Sequence, residues 1–471
     1  MIASQARRPM RRPRLIGFLA ATILIVVASY AVSAGTAPGR AAAPVGPAAI
    51  AGTASTPSTA TTPITPAGEG SIPGAGASGP ATGSIGRIDR SIEAWSRNLA
   101  ANARDFISAT NLATLFHGRG RLSFDLTDHE RGLAAARTAI AIEPTHAPAR
   151  ALEATILFTL HRFEAAFTAA DTLVREDATQ IGALATRFDA ELELGRIDDA
   201  RADLEQLASI GGPGVTIRAA RLASVTGDPA TALVKARAAR SEALAEGSTD
   251  GAFYAYAVGE YARLAGDAPT ARMAFADALA MRPEDPGALI GLARIDAFEG
   301  RRDAAIVGLR RATEIAPQPE ALALLGDVLT AAGDPAAAES YETVRFIEQL
   351  GDIQATTYDR QLLRFELDHG GATLIDLERV QASLASRPDW TGHDTVAWAL
   401  YRLGRFDEAL EEIAAARALG ADDARLRFHE GAILVAIGAV ADGQRLLAAA
   451  LDLGPALDPV ERAEAERLLG T

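Results

Sequence analysis

The sequence has no cysteine, one lysine and few aromatic residues, which make up 5% of 471 positions. Without cysteine there is no disulfide framework, no thiolate metal site and no thiol to carry a lipid. The lone lysine, Lys235, follows Val234, so the Gly-Lys-Ser/Thr core of a phosphate-binding loop is missing. No His-Glu-x-x-His pair occurs, and no serine has nucleophile-elbow spacing. Seven histidines are scattered through the chain. Asp128-His129-Glu130 and His393-Asp394 are adjacent residues, which on a helix diverge and do not converge on one atom. Gly74-x-Gly76-x-x-Gly79 fits a dinucleotide fingerprint, but no strand precedes it and no helix follows it. These absences point away from catalysis, cofactors and metals.

What is abundant is alanine and acid. Hydrophobic residues reach 48%, much of it alanine, which buries area through close helix approach and suits thin, repeated helical layers. The formal net charge is -14, unevenly spread. Residues 1–87 hold seven arginines and one acid, Glu69, which leaves 39 basic and 59 acidic residues, a net of -20, over 88–471. So acidic a body is a poor match for nucleic acid or anionic lipid.

Three segments differ in composition. Residues 1–14 hold five arginines and no acid, and Leu15–Ala34 then carries no charge. As a helix this run reaches about 30 Å, enough to span a bilayer, with the basic flank left in the cytoplasm. Val32-Ser33-Ala34 also fits a cleavage site, so residues 1–34 read as a transmembrane anchor or a cleaved signal peptide. Residues 35–87 are Ala, Pro, Gly, Ser and Thr with almost no charge, the composition of a disordered linker. From 88 onward the pattern is helical.

Glycines punctuate that pattern at 195, 227, 266, 300, 333, 370, 404 and 438, with His161 in the same place one unit earlier. The successive intervals are 34, 32, 39, 34, 33, 37, 34 and 34 residues. Small residues precede the mark by seven (Gly259, Gly326, Ala397, Gly431), and alanines follow it by five (Ala166, Ala200, Ala232, Ala271, Ala305, Ala338, Ala409). Prolines at 283, 317 and 455 close the unit. A glycine can end one helix in a left-handed conformation. Asp228-Pro229, Asp334-Pro335 and Asp458-Pro459 then offer a cap and a first-turn proline for the next.

This pattern resembles the tetratricopeptide repeat. The resemblance implies an all-α, right-handed solenoid of about ten helix-turn-helix repeats over 104–457. A leading helix at 88–103 and a C-terminal capping helix at 458–471 would flank it. On that last helix Glu461, Arg462, Glu464 and Arg467 are expected on an exposed face. With the export segment, the resemblance implies a bacterial, extracytoplasmic protein, membrane-anchored by residues 15–34 or secreted after cleavage near Ala34.

The resemblance also implies that the first helix of each repeat lines a concave groove. In register, the groove receives Tyr256, Arg263, Arg294, Arg360, Arg364, Trp398, Tyr401, Arg402, Arg425 and Phe428. Aromatic and arginine side chains dominate binding energy at protein interfaces. The expected function is a non-catalytic protein-protein interaction scaffold or assembly factor at the cell envelope. Its partner would be a protein segment with an acidic or carboxylate group. Two alternatives remain open: a structural spacer whose arginines pair with neighbouring acids, and, more remotely, a subunit that recruits an enzyme.

Overall fold

The computed structural model describes residues 81–349 and 352–470, and these contain twenty-two α-helices, one 3-10 turn and no strand. The anchor or signal segment and most of the linker expected from the sequence lie outside the described residues. The first helix, α1 (Ala81–Ala101), begins inside the stretch read as linker. Ile85, Ile88 and Ile92 explain the earlier start: at helical spacing they continue the face that docks on the next helix.

Ten helix pairs follow. They are α2 (Phe106–Ser123) with α3 (Leu126–Ile142), α4 (Ala147–Thr159) with α5 (Phe163–Glu176), and α6 (Ile181–Glu193) with α7 (Ile197–Ala208). Next come α8 (Pro213–Val225) with α9 (Pro229–Ala245), α10 (Gly251–Leu264) with α11 (Ala268–Met281), and α12 (Pro286–Phe298) with α13 (Arg302–Ile315). The series ends with α14 (Pro319–Ala331) and α15 (Ala337–Glu348), α16 (Asp352–His369) and α17 (Leu374–Ser386), α18 (Trp390–Arg402) and α19 (Phe406–Ala418), and α20 (Ala424–Ala436) and α21 (Val440–Asp452). A 3-10 turn, Gly454–Ala456, leads to α22 (Pro459–Leu469). This is the all-α solenoid of about ten repeats that the sequence implied.

The landmark glycines do the work expected of them. Gly227, Gly266 and Gly404 take φ of 82°, 78° and 75°, and His161 adopts the same left-handed turn at 57°. One landmark moves: Gly371, with φ 79°, and not Gly370, makes the turn after α16. Long helices account for the wide intervals, since α9 has 17 residues and α16 has 18. Asp228 caps α9 by accepting from the Thr231 N–H at 2.9 Å. Asp334 does not start α15; it accepts from the Ala336 N–H at 2.9 Å, and the helix begins at Ala337.

The small residues allow close approach. Phe275 is fully buried between Gly259 on α10 and Gly291 on α12, and a Cβ at 259 would lie 2.6 Å from its ring. Gly431 lies against Gly443 and Leu447 in the same way. The cores formed along the solenoid are therefore built from alanine, glycine and single large side chains set into them.

The solenoid winds tightly enough for its successive turns to touch. Arg263 Nη1 donates to the Pro455 carbonyl oxygen at 3.0 Å across 192 residues, which is between five and six repeats. Other contacts recur at nearly the same separation. Leu126 packs in one cluster with Leu322, the Gly195 turn abuts the Pro388 carbonyl, and the Gly227 turn abuts Asp422. At Gly195 and Gly227 the turn between the helices of one pair meets the chain between two later pairs. What a single turn would leave as an open groove becomes a covered lumen.

Candidate functional site

The first helices of eight consecutive pairs, α6 through α20, line a cavity of about 400 Å³, and the N-terminus of α22 also lies on its wall. Six of the ten residues singled out from the sequence line it: Tyr256, Arg263, Arg294, Arg360, Arg364 and Arg425. The structure brings most of these together around a single feature, the N-terminus of α22. Arg294 Nε lies 3.3 Å and Arg364 Nη2 3.2 Å from the Asp458 carboxylate. Arg425 Nε lies 2.6 Å and Arg364 Nη2 3.5 Å from the Glu461 carboxylate. Arg263, besides its ion pair with Glu260, holds the Pro455 carbonyl that leads into the helix. Arg360 is turned away, into Thr391 Oγ1 at 2.6 Å, Asp389 and the Arg387 carbonyl.

The remaining four residues form a separate stack between α18 and α20. The Trp398 ring lies parallel to His429 at 4.2 Å and to Tyr401 at 4.8 Å, with Phe428 tilted against it at 5.4 Å. Trp398 Nε1 donates to Asp368 Oδ1 at 2.8 Å, and Phe428 is 1% exposed. Arg402 lies exposed over Trp398, 5.9 Å from the centre of its ring. These aromatics hold neighbouring repeats together. Sequence register places them on the first helices correctly, but not their direction once the turns of the superhelix close.

Asp458 and Glu461 form the capping box expected at the start of α22, each completing the other's hydrogen bond. Glu461, however, is 4% exposed and faces the lumen, which corrects the expectation that it lies on an outer charged face. The reason is the winding: the last helix packs over arginines from α12 and α16, far earlier in the chain. Burial alone would raise the Asp458 carboxyl, but Arg294, Arg364 and Arg425 outweigh it and hold its pKa at about 2. Burial likewise opposes ionisation of Glu461, and Arg425 and Arg364 again outweigh it, lowering its pKa. The two guanidiniums of Arg294 and Arg425 are driven the other way, further into their charged form, by the acids they face.

Beyond α22 the lumen contains, besides Tyr256, groups that register alone did not single out. Among the described residues, Tyr256 Oη, Tyr261 Oη and Gln361 Oε1 on its wall are buried without a hydrogen-bond partner, while Arg387 Nε and Arg221 Nη1 face Asp389 and Asp189 in ion pairs at 3.2 and 3.6 Å. Burial raises the pKa of both tyrosines, so their hydroxyls stay protonated and available as donors. Glu193 is also raised by burial, although Arg221 and Arg387 lie close to it. A signal for these residues exists: Arg221 lies six before Gly227, the inward position that Arg294 and Glu260 occupy in their own repeats.

The acid-histidine neighbours diverge, as helical geometry requires. Asp128 binds Arg119 while His129 Nδ1 meets His117 Nδ1 at 3.1 Å, and His393 meets Glu412 while Asp394 meets His429. Among the described residues no group of three or more acids and histidines is arranged to hold a metal ion, and no helix is long and apolar enough to cross a membrane.

Residues 262–328 match the family model for the tetratricopeptide repeat. The matched tetratricopeptide span runs from the end of α10 into α14 and so contains the Arg263 and Arg294 positions. No curated protein matches the chain. Among solved structures, PilW, a type IV pilus biogenesis factor, is 20% identical with a TM-score of 0.37, and the match covers 44% of this chain and 96% of that one. Human IFIT1, solved as a dimer with PPP-AAAA, is 16% identical with a TM-score of 0.44, covering 66% and 73%. A tetratricopeptide repeat protein from Parabacteroides merdae is 15% identical with a TM-score of 0.31, covering 55% and 97%. Likenesses at this level carry no argument for a shared partner.

Proposed function

We propose that the protein is a non-catalytic scaffold or assembly factor of the cell envelope that captures an acidic segment of another protein at its concave arginines. It would stand outside the membrane, anchored by residues 15–34 or released after cleavage near Ala34. The observation that carries this reading is the convergence of Arg263, Arg294, Arg364 and Arg425, from four separate helices, on one helix terminus. Arginine binds carboxylates with fixed geometry, and four of them on rigid helices form a site for acidic side chains. The tetratricopeptide match supports a protein as the partner class.

The test is a crosslinking pull-down from intact cells with the full chain, comparing the native protein with Arg364→Gln/Arg425→Gln. A partner enriched on the native chain and lost on a variant that still melts cooperatively supports the reading. Equal recovery on both removes the arginines from the interface. A second reading, a structural spacer, is favoured by the internal pairing of these arginines, and that equal recovery is the outcome it expects.

A further inference from the structure

We infer that α22 is a displaceable self-ligand, and that the segment which replaces it starts a helix with the same two carboxylates, an Asp-x-x-Glu N-terminus, preceded by extended polar residues. This rests on the protein-binding reading above and adds the chemistry of the occupant and the gate that controls its entry.

The occupant's chemistry is read from what the site holds now. Asp458 and Glu461, three residues apart on the first turn of α22, share Arg294, Arg364 and Arg425 between them at 2.6–3.5 Å. A helix N-terminus is itself electropositive and repels guanidinium groups. The arginines are there because of the two carboxylates, so the pattern they select is a capped helix start and not negative charge in general.

Two features make α22 removable. Its buried residues are Glu461 and Ala465, with Leu468 and Leu469 only partly covered, so no large side chain anchors it. What holds it is buried ion pairing, where the cost of desolvation offsets much of the attraction. The chain before it is firmly placed: Pro455, Ala456 and Leu457 are buried and Arg263 grips Pro455, which puts the hinge between Leu457 and Asp458.

α22 is tethered and so acts at a high effective concentration, which a competitor overcomes by excess or by making contacts that α22 does not. The lumen supplies them. Among the described residues, Tyr256 Oη, Tyr261 Oη and Gln361 Oε1 belong to residues of the cavity wall and are buried without a hydrogen-bond partner. The residues before α22 cannot reach these atoms, since they turn back to join α21. A foreign segment has no such tether, and its extended residues can run into the lumen and offer backbone carbonyls to the tyrosine hydroxyls.

The test uses the full chain and an isotopically heavy, fluorescent peptide of residues 455–469. The full-length Asp458→Asn/Glu461→Gln variant should bind the peptide about tenfold tighter than the native chain. A peptide carrying the same two substitutions should bind neither protein. Equal affinity for native and variant chains, or no binding by a variant that still melts cooperatively, overturns the inference. Should that variant fail to fold, hydrogen exchange on the native chain decides. Excess peptide should strip protection from α22 while α20 keeps it; α22 protection that does not change overturns the inference. A partner still lost on Arg364→Gln/Arg425→Gln while α22 stays protected would remove the self-ligand and leave the scaffold reading standing.

Discussion

Arg294 and Asp458 stand 164 residues apart in the chain and 3.3 Å apart in space. The pair ties the middle of the solenoid to its last helix, and both side chains are largely buried. Removing Arg294 leaves the buried Asp458 with Arg364 and Arg425, a partial loss of compensation. Arg294→Met should therefore lower stability by about 1–3 kcal/mol, less than the roughly 3–5 kcal/mol of a fully unpaired buried charge. Urea denaturation of the native and substituted chains measures this directly, and a loss below 1 kcal/mol would mean that Arg364 and Arg425 suffice for Asp458.

Acid should loosen the same contact. The folded-state pKa of Asp458, about 2, lies below its ordinary value of 3.8. Its contribution is thus complete above pH 3.8 and lost as pH falls toward 2. Tryptophan fluorescence followed from pH 5 to 2 should show a steeper acid transition for the native chain than for Asp458→Asn.

Glu191 predicts a slope of the opposite sign. Burial, with Asp203 close by, pushes its carboxyl up to about 8, and its Oε2 has no hydrogen-bond partner. Its folded pKa is above the ordinary 4.5, so its contribution is complete below pH 4.5 and lost as pH rises through 8. Glu191→Gln should raise the melting temperature at pH 9 and leave it nearly unchanged at pH 5. A variant less stable than the native chain at pH 9 would contradict this.

Gly195 and Gly300 separate a backbone effect from a packing effect. Both have positive φ, 71° and 79°, but a side chain at 195 collides with the Pro388 carbonyl while the space around 300 is open. Gly300→Ala should cost about 1–2 kcal/mol, the strain of the left-handed conformation. Gly195→Ala should cost more, and only this variant should enlarge the radius of gyration in small-angle scattering, because the contact between turns must part.

Much of the architecture is legible in the sequence. The interval near 34, the small residues in register and the helix-ending glycines encode local events: a turn, a cap and a close approach between neighbours. Each depends on residues a few positions apart, so each can be read from a single stretch of chain. Errors of register were local too. Gly371 replaces Gly370 because α16 runs one residue further, and Asp334 serves a turn before α15 begins.

The site was legible only in part. Tyr256, Arg263, Arg294, Arg364 and Arg425 were placed on inner faces by register, and they are there. Trp398 and Phe428 were placed by the same rule, yet they pack between repeats, because a large ring buries more area against the next helix than in a narrow lumen. What those arginines hold could not be read at all.

The sequence alone determined the helices, their pairing and the order of the repeats, because these follow from contacts between neighbours along the chain. Only the tertiary structure decided that the groove is covered and that Asp458 and Glu461 sit among its arginines. A small rotation at each repeat accumulates over nearly six of them until Arg263 meets Pro455, 192 residues on. No local pattern records that sum, so the closure of the superhelix, and the self-contact it creates, appear only when the whole chain is wound.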